Sequence, residues 1–308
     1  MRVLVTGAEG FLGRGLVSRL PEALPGIERL VLTDINMSRP SPVSLQGAER
    51  RSGDLGDEGF LDELLETEFD LVFHLASLPG GLAEREQDLG FHANLAAPLA
   101  LARGVARIKP GARFIFASSI AVYGALSSSP VTSGTATRPM LSYGAHKLMT
   151  EIFLADMHRQ GTLQAASLRF PGIVARPPTE SGHGSAFMSL IFHRIAAGEP
   201  YTCPVPADSQ CWWMSRQAAV QSLLHAATMQ EAPAAPVQLP VLHADVGSVT
   251  RAIEQVSARQ ARIDWGADTT LQALFGAMPP LDAQIAVKLG FRADPDLDAL
   301  AQAALKGD

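Results

Sequence analysis

The sequence predicts an α/β fold: a doubly wound parallel sheet with a smaller C-terminal substrate-binding region. Three observations predict it. Short apolar runs alternate with amphipathic stretches over the first 170 or so residues, a glycine-rich turn joins the first run to the first such stretch, and the rhythm breaks near Pro171. Uninterrupted apolar runs of about four to six residues read as strands buried on both faces, and a parallel sheet achieves that burial only with helices on both sides.

The elements follow in order. RVLVT (2–6) is the first strand and FLGRGLVSRL (11–20) the helix after it; RLVLTDI (29–35) is the second strand. DLVFHLAS (70–77), RFIFASS (113–119) and AASLRF (165–170) are further strands, with LAAPLALARGVARI (95–108) a helix between the first two. From Pro171 the stretches VARPPTESGHGS and AGEPYTCPVPADSQ carry Pro, Gly and Ser at loop density. Helix-like patterns return at 185–198, 216–229, 248–260 and 296–307. The expected division is residues 1–170 for a dinucleotide-binding domain with the reactive residues. Residues 171–308 form mainly a substrate-binding region, some of whose segments return to the first domain.

Composition narrows the function. With 308 residues and 47% hydrophobic content the chain can bury a large core, and a net charge of −6 argues against a nucleic-acid surface, which needs clustered Lys and Arg. Cys203 and Cys211 are too few for a disulfide framework. Neither a signal peptide nor a membrane span is legible, so a cytoplasmic protein without membrane partners is expected. His183, His193 and His225 are scattered without ligand spacing, so no metal is expected.

Gly7, Gly10 and Gly13 follow a strand and open a helix. That context lets the backbone approach a pyrophosphate, whose charge meets free amides at the helix N-terminus. Phe11 and Leu12, inside the turn, join the glycines as cofactor contacts. Asp34 ends the second strand, where a carboxylate accepts both hydroxyls of an adenosine ribose and repels a 2′-phosphate. NAD is therefore expected, while Arg14 and Arg39 keep NADP open. Asp54 and Leu55 in GDLGD are further cofactor candidates, and Asp57 there reads equally as a helix N-cap. In HLAS, Leu75 and Ala76 border the cofactor, and His74 reads as structural.

RFIFASSIAVYG places Ser119 at a strand end, and LSYGAHKLMTE places Tyr143 and Lys147 one helical turn apart. A phenol of ordinary pKa, about 10, is a poor base at neutral pH; an ammonium and an oxidised nicotinamide beside it favour the phenolate. With TGAEGFLG, GDLGD, HLAS, ASSIAVYG and SYGAHK in this order, the chain resembles the extended short-chain dehydrogenase/reductases of the NAD-dependent epimerase/dehydratase superfamily. The resemblance implies a Rossmann-type domain, NAD, Tyr143 as general acid/base, Lys147 as its partner and Ser119 as the polarising hydroxyl. By the same comparison Asn94 and Pro171 are cofactor positions, although Asn94 also reads as satisfying a buried carbonyl and Pro171 as a strand terminator.

Dehydratases of that superfamily carry an acidic pair beside the polarising hydroxyl. SSIAVYG has none, so dehydration is not expected. The C-terminal half, through LRFPGIVARP, the segment 184–215 and LGFRADPDLDAL, is similar to a narrower group that uses NAD to oxidise a four-carbon sugar acid at its C2 hydroxyl. A sugar-acid substrate is thereby implied; a sugar-nucleotide epimerase and a carbonyl reductase of another small substrate stand as alternatives. A carboxylate needs a cation, and Arg169, Arg176 and Arg216 are the candidates, each of which also reads as a structural ion pair. Ser77, Gly81 and Ser185 would add neutral contacts, with Trp212 as a wall. Apolar stretches at 90–107 and 143–159 suggest a homodimer joined through these helices.

Overall fold

The computed structural model describes residues 1–39, 48–127, 129–177 and 185–306. Its first six strands are β1 (Arg2–Thr6), β2 (Arg29–Asp34), β3 (Ala48–Ser52), β4 (Leu71–His74), β5 (Arg113–Ser119) and β6 (Gln164–Phe170). Downstream come β7 (Gly172–Val174), β8 (Tyr201–Cys203), β9 (Gln210–Ser215), β10 (Val237–Gln238), β11 (Leu242–Asp245) and β12 (Ile263–Trp265). The seven-stranded sheet has the order β10-β6-β5-β4-β1-β2-β3 and is parallel throughout. Chain order reverses between β1 and β4, and the crevice outside the carboxyl ends of those two strands is where such sheets bind ligands.

Side-chain alternation builds a core on each face. Val3 and Val5, Leu30 and Leu32, Phe73 and Ile115 point to one side; Leu4, Val31, Val72, Phe114 and Phe116 point to the other. The helices that cover these faces are α1 (Phe11–Ala23), α2 (Glu58–Leu64), α3 (Gly80–Arg85), α4 (Gln87–Phe91), α5 (Ala97–Ile108) and α6 (Ser142–Arg159). After them come α7 (Phe187–Ala197), α8 (Arg216–Thr228), α9 (Val246–Ser257), α10 (Thr269–Phe275), α11 (Gln284–Lys288) and α12 (Leu297–Leu305). Leu16, Val17 and Leu20 of α1 share one core with Val220, Leu223 and Leu224 of α8, so a helix from late in the chain closes one face of the main sheet.

Two strands of that sheet are not visible in the hydrophobic pattern. β3 reads AERRS and is an edge strand; its polar side chains are useful there, since charge discourages pairing with another chain. Arg29 and Glu49 lie across it at 2.8 Å, and Arg51 adds a second contact to Glu49 at 3.0 Å. β10 has only two residues, too few to show a period.

The later residues gather about another core, in which Phe187, Ile191 and Phe192 of α7 meet Trp213, Val249, Ile253 and Leu300. A three-stranded sheet, β11-β9-β7, and the parallel pair β12-β8 belong to this part. β7 begins two residues after β6 ends, so Pro171 and Gly172 lie where one sheet gives way to the next.

Candidate active site

A cavity of about 430 Å3 opens at the switch point between the two parts. One end is bordered by Gly7, Gly10, Phe11, Leu12 and Gly13. Gly7 has φ +67°, and a Cβ on Gly13 would come within 2.1 Å of the Gly7 carbonyl oxygen. The turn therefore closes only with glycine at these positions. Gly10 caps α1 without a side-chain hydrogen bond, and the first turn holds no acidic residue, so the N-terminal amides of a thirteen-residue helix face the cavity uncompensated. That is a cradle of the right chemistry for a pyrophosphate.

Asp34 stands at the end of β2. Its carboxylate accepts the backbone N–H of Glu9 at 3.0 Å and that of Ile35 at 2.8 Å, one on each oxygen, which leaves each oxygen a lone pair for a ribose hydroxyl. Burial holds its pKa above the usual range despite these donors. Arg14, which had kept a 2′-phosphate open, is paired with Glu9 at 3.2 Å. Asp54 accepts from the backbone of Gly56 at 2.8 Å within its own turn, Leu55 lies in the core, and Asp57 caps α2 through the N–H of Phe60 at 2.7 Å.

Beyond the glycine turn the cavity is bordered by Leu75, Ser77, Gly81, Ser119, Tyr143 and Pro171. Ala76 sits behind, where a Cβ on Gly7 would approach its nitrogen to 2.6 Å. Burial pushes the phenol of Tyr143 up; the positive charge of Arg176 and hydrogen bonds from Ser77 and Ser119 oppose that rise. Lys147 is 2% exposed, one turn further along α6, and donates to the Ala117 carbonyl at 2.8 Å. Its ammonium lies 4.6 Å from the ring centre of Phe116 and 5.5 Å from that of Tyr143. Burial lowers its pKa to about 7, with Glu151 pulling the other way. His74 is buried, shares a 2.9 Å hydrogen bond with the Thr6 hydroxyl and stacks on Phe116; burial lowers it to about 3, which leaves a neutral ring.

Asn94 lies outside the cavity lining. Its side-chain oxygen accepts from the Ser77 hydroxyl at 2.9 Å and the Leu78 N–H at 2.7 Å, and its nitrogen donates to the Leu78 carbonyl at 3.0 Å. It holds the Ser77 loop in place. The backbone presents it through a wide turn at His92–Ala96, where the Ala97 N–H bonds back five residues to His92. Pro98 explains the local break in the helical ladder, because it has no N–H to offer the carbonyl of Asn94 four residues earlier.

The three candidate arginines separate cleanly. Arg169 is bound to Glu151 at 2.7 Å and to the Tyr123 hydroxyl at 3.0 Å, and Arg216 lies over the ring of Phe11, 4.9 Å from its centre. Arg176 lines the cavity beside Ser185, Met188 and Trp212; among the described residues its guanidinium has no hydrogen-bond or ion-pair partner. Trp212 is fixed by its indole N–H, which donates to the Pro279 carbonyl at 2.7 Å. Leu274, Phe275 and Met278, which complete the apolar wall, carry no motif and are unreadable from the sequence. Glu151 was recoverable in principle, four residues from Lys147 on the same helix face. His183 lies outside the described residues; among those described, no cluster of metal-ligating side chains is found.

A parallel sheet with a glycine cradle at its switch point, and Ser119 and Tyr143 lining the cavity with Lys147 buried one helical turn from the tyrosine, defines a dinucleotide-dependent enzyme class. The chain belongs to the NAD dependent epimerase/dehydratase family, which it matches over residues 3–237, and NAD is its cofactor. It is 32% identical to the D-erythronate dehydrogenase of Cupriavidus necator, over 99% of this chain and 98% of that one. The D-erythronate dehydrogenase of Haemophilus influenzae is 28% identical over 100% of both. The crystal structure of a nucleoside-diphosphate-sugar epimerase from Agrobacterium tumefaciens superposes with a TM-score of 0.90 at 29% identity, covering 100% of this chain and 95% of that one.

Proposed function

We propose that this NAD-dependent oxidoreductase, which acts on a CH–OH group, oxidises the C2 hydroxyl of a small sugar acid, D-erythronate, to the 2-oxo acid. The observation that carries this reading is Arg176. Its cation stands at the cavity wall with no carboxylate partner among the described residues and acts through space on Tyr143, so an anionic substrate held there would bring its neighbouring carbinol toward the phenol. The two curated dehydrogenases matched along their whole length support the choice of acid.

In this mechanism NAD, bound by the glycine turn and Asp34, supplies the hydride acceptor. Tyr143 as phenolate takes the C2 hydroxyl proton while the C2 hydrogen leaves with its electron pair. Ser119 donates a hydrogen bond to the oxygen as it becomes a carbonyl. Lys147, when protonated 5.5 Å from the ring centre of Tyr143, favours the phenolate. Gly81 from the first domain shapes the substrate end together with Ser185 and Trp212, which belong to a region, 171–308, whose main task is to cover the substrate.

The test is absorbance of reduced cofactor with NAD and a panel of four-carbon sugar acids, read beside binding of uridine-diphosphate sugars. Turnover of D-erythronate is expected. No turnover of any four-carbon acid, combined with tight sugar-nucleotide binding, would assign the site to epimerisation.

A homodimer completes the proposal. Leu89 and Phe91 of α4 and Met149 and Ile152 of α6 are exposed, Ile152 at 63%, whereas most of α5 is buried. The proposed face therefore draws on α6, one of the two expected helices, and on α4 in place of most of 90–107, and sedimentation as a monomer at micromolar concentration would refute it. No described helix is long and apolar enough to cross a membrane. A cytoplasmic setting accords with the two free, buried cysteines.

A further inference from the structure

Glu9 occupies the glycine turn immediately before Gly10. Its backbone N–H donates to Asp34 at 3.0 Å, which puts the residue against the carboxylate positioned for the ribose. Its own carboxylate, only 11% exposed, is gripped by two arginines from different elements: Arg14 of α1 at 3.2 Å and Arg50 of β3 at 2.7 Å. Arg50 is further fixed by the Met37 carbonyl at 2.9 Å and by the Arg39 carbonyl. Two carboxylates and two arginines thus surround one end of the cofactor cradle, and the arginines have the geometry that recognises a phosphate monoester.

We propose that Glu9 is a second determinant of cofactor choice: with Asp34 it repels a 2′-phosphate, and it occupies Arg50, which would otherwise receive one. The chain then holds the elements of an NADP site in masked form. A phosphate brought to this end meets two negative charges, and neither arginine is available without breaking a partly buried ion pair. Removal of Asp34 alone relieves half of that repulsion and leaves both arginines engaged. Removal of Glu9 as well leaves the Arg50 cation with its carboxylate gone, at the end of the cradle that Asp34 vacated. The negative charge of Glu9 also opposes ionisation of Asp34.

The experiment is equilibrium titration of NADH and NADPH, read by nicotinamide fluorescence. It uses wild type, Glu9→Gln, Asp34→Ser, the double variant, and the double variant carrying Arg50→Ala. Wild type is expected to favour NADH. Asp34→Ser should weaken NADH while improving NADPH by less than about 3-fold, and the double variant should improve NADPH by about 30-fold or more, a gain that salt erodes and Arg50→Ala reverses. Glu9→Thr carries the same expectation should Gln disturb the turn. Asp34→Ser matching the double variant, or Arg50→Ala leaving the gain intact, would overturn the proposal alone. Wild type that binds neither dinucleotide would overturn it together with the cofactor on which it rests.

Discussion

The ammonium of Lys147 lies 5.5 Å from the ring centre of Tyr143 and is tied to the Ala117 carbonyl at 2.8 Å, so α6 and β5 jointly fix its position. A charge held at that place beneath a phenol has little freedom to move away from it. The cost is burial of an ammonium, which brings its pKa to about 7. The proposed catalytic role of Lys147 and stability pull in opposite directions at this residue.

Tyr143→Phe keeps the ring and removes the proposed acid/base. Turnover should fall by about 100-fold to 10,000-fold, the range of general acid/base assistance, while NADH affinity stays within about 2-fold. Steady-state rates and a fluorescence titration of the same preparation check both halves.

Lys147→Met removes the buried charge while keeping the length of the side chain. The folded pKa, about 7, lies below the unfolded value of about 10.4, so the unfolded chain binds the extra proton between those limits. The Lys147 contribution to stability is therefore present at high pH and is lost as pH falls toward 7. At pH 7 the variant should melt about 2–4 °C above wild type, with turnover lost. A lower melting temperature would show that the bond to Ala117 outweighs desolvation.

Arg176→Gln should raise KM for the sugar acid by about 100-fold or more with NADH affinity unchanged, since the arginine would meet substrate and not cofactor. Arg176→Lys, which keeps charge but loses the fork, should recover part of the loss. Equal KM values in all three proteins would remove Arg176 from the substrate site.

His74 gives the fold an acid limb. Its pKa is about 3 when folded against an ordinary value of about 6.5, so below pH 6.5 the unfolded chain takes up a proton that the folded chain refuses. Stability falls from about pH 6.5 toward pH 3. His74→Leu should flatten that slope, even though the Thr6 hydroxyl loses its partner and the protein is weaker at pH 7. Denaturant midpoints measured at intervals between pH 4 and 7 decide it; an unchanged slope would place the acid sensitivity elsewhere.

Local signals were the legible ones. The strand alternation from Val3 to Phe116 and the glycine spacing from Gly7 to Gly13 depend on residues close in sequence, as does the one-turn separation of Tyr143 and Lys147. β3 was hidden because an edge strand needs no hydrophobic period, and α10 because its wall residues become neighbours of Tyr143 only after the chain has crossed both parts. Asn94 was noticed, but its three bonds to Ser77 and Leu78 span sixteen and seventeen residues, beyond any spacing rule.

The arginines mark the boundary between the two kinds of information. By itself the sequence determined five strands of the main sheet, the cradle for a dinucleotide and the helix that carries tyrosine above lysine, because each rests on periodicity or on the steric freedom of glycine. Only the tertiary structure decided that Arg169 belongs to Glu151, that Arg14 and Arg50 belong to Glu9, and that Arg176 faces the cavity. A charge takes its meaning from the partner within a few ångströms, and for Arg50 that partner stands forty-one residues away along the chain.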